Sequence, residues 1–211
     1  MPAPSVSIVN GTFAMATIAM PSPAVVPPTL GQVGGISPQD LLEMDGLYEL
    51  VDGELREKHT GFDAGDTTVN VTLGVGGYVK ANGLGKVVSE VTFQCFPLKP
   101  NQVRRPDVAF VATARLPGVP RRGNVPIRPD LVIEVTSPEE KVVELDGKLA
   151  DYHSVGVPLV WVFNPELRIV RVYRPDGSSR LLTESDTIDG GDVLPGFSAI
   201  VRELLPAAAT T

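Results

Sequence analysis

Two short apolar runs, each broken by carboxylates, constrain this chain more than any other feature. The first is Arg105-Pro-Asp-Val-Ala-Phe-Val111 and the second is Pro129-Asp-Leu-Val-Ile-Glu-Val-Thr-Ser137. Both read as buried strands, and a carboxylate in such a strand is costly unless something cationic meets it. In the second run Leu131, Ile133 and Val135 fall on one face, while Asp130, Val132, Glu134 and Thr136 fall on the other. Asp130 and Glu134 share a face but stand about 13 Å apart at roughly 3.3 Å per residue, so they cannot hold one ion between them. Glu134 therefore needs a partner from a neighbouring strand. Asp107, at the head of the preceding run, is the natural candidate, and a metal ion is the expected cation. Taken alone, each acid reads equally well as a turn residue or a strand-end partner in a surface ion pair.

A chain of 211 residues is long enough for one domain with a sizeable core. Cys95 is the sole cysteine, which excludes a disulfide framework and a thiolate zinc site. It reads as a small core hydrophobe suited to a reducing cytoplasm. His59 and His153 lie far apart without metal-ligand spacing. The net charge of -7 argues against a non-specific nucleic-acid coat protein. That charge is unevenly spread: between 104 and 128 six arginines (Arg104, Arg105, Arg115, Arg121, Arg122 and Arg128) face one acid, Asp107, a local balance of +5. Arginines beside the expected metal site suit phosphate contact, with Arg104, Arg105, Arg121 and Arg122 as candidates, although such a run also reads as a solvated basic loop. No stretch of eighteen apolar residues is present to span a membrane, and no basic segment precedes the apolar N-terminus as in a secretory signal.

Residues 1–36 are uncharged and rich in Pro, Ala and Ser, and read as a flexible extension; 37–205 read as the folded domain and 206–211 as a tail. Ser37-Pro38 opens a short helix that stops at Gly46. Tyr48 to Glu57 reads as a hairpin turning at Asp52-Gly53, with Glu49 and Glu54 expected to face solvent. A helix is expected over 66–82, capped by Asp66 or Thr67, with Gly74, Gly76 and Gly77 as close-packing or flexible positions. Strands are expected over 85–97, 105–112 and 130–136, then a helix over 138–154. Its buried stripe is Val142, Leu145, Leu149 and Tyr152, with Lys148 on the flank. On that flank Lys148 either reaches the sheet or stays exposed beside Glu144. Two strands follow over 158–163 and 168–173, then a β meander and a short helix near 201–205.

The core order is αβββαβ, with Asp107 on the second strand and Glu134 on the third. The chain carries Tyr48-Glu-Leu-Val-Asp-Gly-Glu-Leu55, Arg105-Pro-Asp-Val108, Pro129-Asp-Leu-Val-Ile-Glu-Val-Thr-Ser-Pro138, Lys148 with Tyr152, Leu159-Val-Trp-Val162 and Leu194-Pro-Gly-Phe197. In this order and spacing the phrases resemble the Uma-type putative restriction endonuclease family of the PD-(D/E)XK nuclease superfamily, over about residues 37 to 205. The resemblance implies an α+β fold: a restriction-endonuclease-like core with a mixed sheet, an N-terminal hairpin and a C-terminal β meander. It further implies a DNA endonuclease in which Asp107, Glu134 and the Val135 main-chain carbonyl hold Mg²⁺ (or Mn²⁺), with Glu54 as a further metal-site acid. The superfamily's usual lysine would stand at 136, where this chain has Thr136; Lys148 looks like its migrated replacement. A cytoplasmic homodimer acting on DNA is the accompanying expectation. Two other readings stay open: a catalytically silent binding or assembly module that keeps the fold, and a metallohydrolase of small phosphoesters.

Overall fold

The structure, a computed structural model, describes residues 35–137 and 140–208. The expected extension over 1–36 lies almost wholly outside the described residues, as do Pro138 and Glu139 at the expected helix start and the end of the tail. A short helical turn, Asp40–Glu43, follows Ser37, whose hydroxyl and amide exchange hydrogen bonds with Asp40. Then β1 (Tyr48–Val51) and β2 (Glu54–Glu57) form the expected antiparallel hairpin. Both turn residues are left-handed, Asp52 at φ 51 and Gly53 at φ 84, as a two-residue hairpin turn requires.

Next come α1 (Phe62–Ala81), β3 (Gly85–Ser89), β4 (Val108–Ala112), β5 (Leu131–Val135), α2 (Val142–Ser154), β6 (Leu159–Asn164), β7 (Ile169–Tyr173) and β8 (Ser179–Thr183). The strands from β3 to β8 lie in sequence order in one six-stranded sheet. Only β5 and β6 pair in parallel, and α2 is the crossover that such a pair needs. Both strands are covered on two faces, which is why Leu159 to Phe163 is an unbroken apolar run. On one face Val71, Val75 and Val79 of α1, spaced four apart, pack on Val108, Phe110, Leu131, Ile133 and Trp161. The last hairpin, β9 (Thr187–Gly190) and β10 (Leu194–Ile200), closes this core with Ile188, Leu194 and Phe197. On the other face Tyr152 of α2, flanked by Leu145 and Leu149, packs on Val132, Val160 and Val162. The expected αβββαβ core, N-terminal hairpin and C-terminal meander are therefore present. Among the described residues no helix is long and apolar enough to cross a membrane.

Several boundaries differ from expectation. The first helix starts at Phe62 rather than 66: Ala64 is drawn into the core, and Thr67 lies inside the helix, bonding the Asp63 carbonyl instead of capping. The strand expected over 85–97 ends at Ser89, because Glu90 turns into the left-handed region (φ 56); beyond it Phe93 bridges Arg104 and Val125. The strand expected from 105 starts at Val108. The second helix starts at Val142, after an extended Lys141, and Val142 is 76 % exposed rather than part of the stripe. Its buried face is centred on Lys148 and Tyr152 instead. The helix expected near 201–205 is one short turn over Val201–Glu203.

The glycines separate by what surrounds them. An added Cβ at Gly74 would lie 3.1 Å from Leu204, whereas at Gly77 it would meet nothing within 4 Å. At Gly85 it would fall 2.1 Å from the Val111 carbonyl oxygen. Gly85→Ala should therefore lose about 1–3 kcal/mol by overpacking the β3–β4 pair. Gly77→Ala, in an exposed helix interior, should gain about 0.5–1 kcal/mol. Urea unfolding of both variants checks this, and equal stabilities would contradict the β3–β4 packing.

Candidate active site

The strand ladder brings the two predicted acids together. Val108 pairs with Ile133 and Ala109 with Val132, so one step further along the antiparallel ladder Asp107 stands opposite Glu134. Cross-strand neighbours of this kind share a face about 5 Å apart. That face is the one covered by α2, as Val132 shows. Asp130, at the other end of β5, accepts from Arg115 and the Ala112 amide, and takes no part.

Each acid is gripped by its own lysine. Asp107 Oδ2 accepts from the Val135 amide at 2.6 Å, and Oδ1 from Lys58 Nζ at 2.9 Å. Glu134 Oε2 accepts from Lys148 Nζ at 3.0 Å, and Oε1 from the Tyr152 hydroxyl at 2.5 Å. Lys148 also reaches Glu140 at 2.8 Å, so it turns to the sheet and not to Glu144. Lys58 also donates to Glu90 at 3.1 Å and to the Arg105 carbonyl at 2.8 Å. Lys58 sits just past β2 and carries no sequence signal: one lysine after a hairpin does not announce an acid 49 residues away.

These groups open onto a cleft of about 490 Å³, lined among others by Glu49, Lys58, Arg104, Asp107, Lys148 and Asp151. Glu134 lies just behind its wall, 1 % exposed. Glu49 turns inward, contrary to its expected solvent-facing place, and its carboxylate accepts from Arg104 at 3.0 Å and the Arg105 amide at 2.8 Å. Arg104 is itself enclosed, since its guanidinium also meets Asp151 at 2.5 Å. It is a structural counter-ion here rather than a group presented to a ligand. Arg105 is half-buried, with its guanidinium on the Tyr48 and Glu90 carbonyls. Arg121 and Arg122 are exposed but are not among the described residues that line the cleft. Glu54 is not brought to the site: it is exposed and paired with Arg56 at 2.5 Å.

The electrostatics divide the two central acids. Burial pushes Asp107 upward, and Glu134 adds to this, against the opposing pull of Lys58 and the Val135 amide. Burial also acts on Glu134, but Lys148, Lys58 and the Tyr152 hydroxyl outweigh it and hold that carboxyl below its usual range. Glu90 and Glu140 are both raised, mainly by burial. The Cys95 thiol is pushed up to about 11 by burial and stays protonated, in keeping with a packing role.

The donor set suits a hard divalent ion. Around Asp107 and Glu134, four carboxylates (with Glu90 and Glu140) face two ammonium groups, which leaves two negative charges unmatched. Among the described residues no three acidic, histidine or cysteine side chains converge closely enough to hold a metal by themselves. The side-chain donors on offer are thus the two carboxylates, and Val135, whose main-chain carbonyl the family resemblance adds, lines the cleft. A magnesium-sized ion, which takes few protein ligands and keeps several waters, fits such a set.

Residues 38–207 match the family Uma2, described as a putative restriction endonuclease. The chain belongs to this family. Its fold is also that of a crystal structure of "a putative nuclease belonging to DUF820 from Anabaena variabilis ATCC 29413": TM-score 0.68 and 17 % identity, over 80 % of this chain and 97 % of that one. A cryoEM structure of a DrdV–DNA complex is more distant, at TM-score 0.35 and 13 % identity over 62 % of this chain and 85 % of that one. No curated protein matches the chain in sequence. The Uma2 match spans the hairpin, both acids and both lysines, so the whole cleft lies inside the family's extent.

Because Glu134 is fully buried, its cation is needed for stability. Lys148→Met should cost about 3–5 kcal/mol by leaving the carboxylate unpaired. Adding Glu134→Leu to that variant should restore part of the loss. Denaturant unfolding of wild type and both variants measures this, and an undiminished single variant would mean that the ion pair does not form.

Proposed function

We propose that this protein is a metal-dependent DNA endonuclease in which Asp107, Glu134 and the Val135 carbonyl hold one Mg²⁺ or Mn²⁺ ion. The observation that carries the reading is the opposition of Asp107, at the head of β4, and Glu134 on β5, with Asp107 lining a cleft and Glu134 just behind its wall. Such an ion, when bound, polarises a scissile phosphate and lowers the pKa of a coordinated water. The chain's own groups supply the rest. The Val135 amide and Lys58 fix the Asp107 carboxylate in one orientation. Tyr152 and Lys148 keep Glu134 ionised and aimed. Lys148 lines the cleft, where its ammonium offsets charge that builds on the phosphate.

Phosphate contacts along the strand fall to the exposed cations of the cleft rim, Arg56, Lys99 and Lys141, in place of the enclosed Arg104. A homodimer would present two such clefts to the two strands of a duplex. The family match supports a nuclease, and exposed cations at the rim of a cleft that holds Asp107 suit a phosphodiester substrate.

Two measurements test the reading. A carboxylate raised by the fold subtracts from stability above its ordinary titration range, so a dication that relieves Asp107, Glu90 and Glu140 should stabilise the protein near neutral pH. At about 100 times its Kd the ion should add about 2.7 kcal/mol, seen as a rise of several degrees in Tm. Plasmid cleavage should require Mg²⁺ or Mn²⁺ and fall to background in Asp107→Asn. If millimolar ion shifts no Tm and supports no cleavage, the protein is a binding module on a nuclease fold.

A further inference from the structure

Lys58 has a place in the cleft that goes beyond fixing the orientation of Asp107. Its side chain is only 9 % exposed, and its ammonium meets three oxygens: Asp107 Oδ1 at 2.9 Å, the Arg105 carbonyl at 2.8 Å and Glu90 Oε2 at 3.1 Å. An ammonium has three hydrogens, so these acceptors exhaust it. Two carboxylates and a main-chain carbonyl are also the donor types that a hard divalent ion takes. The cage is built with some strain. Glu90 is a non-glycine residue in the left-handed region, at φ 56; its carbonyl accepts from Arg105, its amide donates to the Asp107 carbonyl, and its carboxylate turns to Lys58.

We propose that Lys58 is the resident counter-ion of the site, a positioning residue that holds Asp107 and Glu90 in place before metal arrives and sets metal affinity by opposing the incoming dication. This rests on Asp107 and Glu134 being the metal site. Lys58 and Asp107 line the same cleft, so an ion reaching Asp107 comes up against a positive charge already bound to that carboxylate. Like charges a few ångströms apart in a partly desolvated cleft repel strongly. Removing the ammonium leaves three negative charges unmatched where two were before, and releases Glu90 as a further oxygen. A lysine that served only to brace the hairpin would, when removed, lower stability without tightening metal.

Calorimetric titration of the full-length protein with MnCl₂ tests this on wild type, Asp107→Asn, Lys58→Met and Lys58→Arg. Wild type should bind, Asp107→Asn should lose binding, and Lys58→Met should bind at least about tenfold tighter, equivalent to about 1.4 kcal/mol. Lys58→Arg, which keeps the charge, should not gain. Should Lys58→Met fail to fold, Lys58→Gln makes the same comparison, since its amide keeps a donor toward Asp107 without the charge. If wild type binds no Mn²⁺, or Asp107→Asn binds as well as wild type, the metal-site reading falls and this inference with it. If Asp107→Asn loses binding but the uncharged Lys58 variant binds no tighter than wild type, the metal site stands and the role of Lys58 is overturned.

Discussion

Two carboxylates set side by side inside a protein repel each other and are poorly solvated, and the architecture around Asp107 and Glu134 answers that problem. Sheet register forces the opposition: once Val108 pairs with Ile133, the next residues on the ladder must face each other. Both acids are buried on the face that α2 covers, Glu134 wholly and Asp107 all but its edge on the cleft. The compensation comes from outside the strand pair. Lys58 arrives from the end of the hairpin and Lys148 from the middle of α2, each with a second acid of its own. An unpaired buried charge costs several kcal/mol, so docking of these two elements and ionisation of the two acids are one event energetically.

The hairpin shows how this works. It does not join the six-stranded sheet, and a free two-stranded hairpin is marginal in water. Its anchorage is a pair of backbone bonds between Leu50 and Val103, at 3.0 and 2.9 Å, together with a row of charged contacts along the Val103 to Asp107 segment. Glu49 takes Arg104 and the Arg105 amide, the Tyr48 carbonyl takes the Arg105 guanidinium, and Lys58 takes the Arg105 carbonyl and Asp107. A segment that reads as a basic loop is thus the seam between the hairpin and the sheet.

That seam also marks the limit of what the sequence discloses. The alternation of Leu131 to Val135 is a local property, and it placed Glu134 on the right face because strand period needs no knowledge of neighbours. Asp52-Gly53 foretold the hairpin for the same reason, through the backbone its turn requires. Arg104, a phosphate-contact candidate on the sequence, is enclosed by Glu49 and Asp151, which come from distant segments, and no count of charges along the chain can pair them. The inward turn of Glu49, against its expected solvent-facing place, and the role of Lys58, which has no sequence signal, escape a local reading on the same ground. The helix expected over 138–154 starts only at Val142, after an extended Lys141, and Glu140 ahead of it is held by Lys148, a tertiary contact that no local pattern announces.

Thr136 gives the last step. Where the superfamily pattern would have a lysine on the strand itself, the Thr136 hydroxyl and amide both turn to the Phe163 carbonyl, at 3.2 and 2.9 Å, and extend the β5–β6 pairing. A lysine on the strand would travel with the acids whatever else the chain did. Lysines delivered by a hairpin and a crossover helix do not, because each is in place only while its element is docked. Local opening of either element would strip one acid of its counter-ion, and the site is assembled only when sheet, helix and hairpin are all closed. Cations carried by the hairpin end and the crossover helix therefore tie the charge balance of the cleft to the integrity of three separate elements, which a site confined to one strand pair would not do.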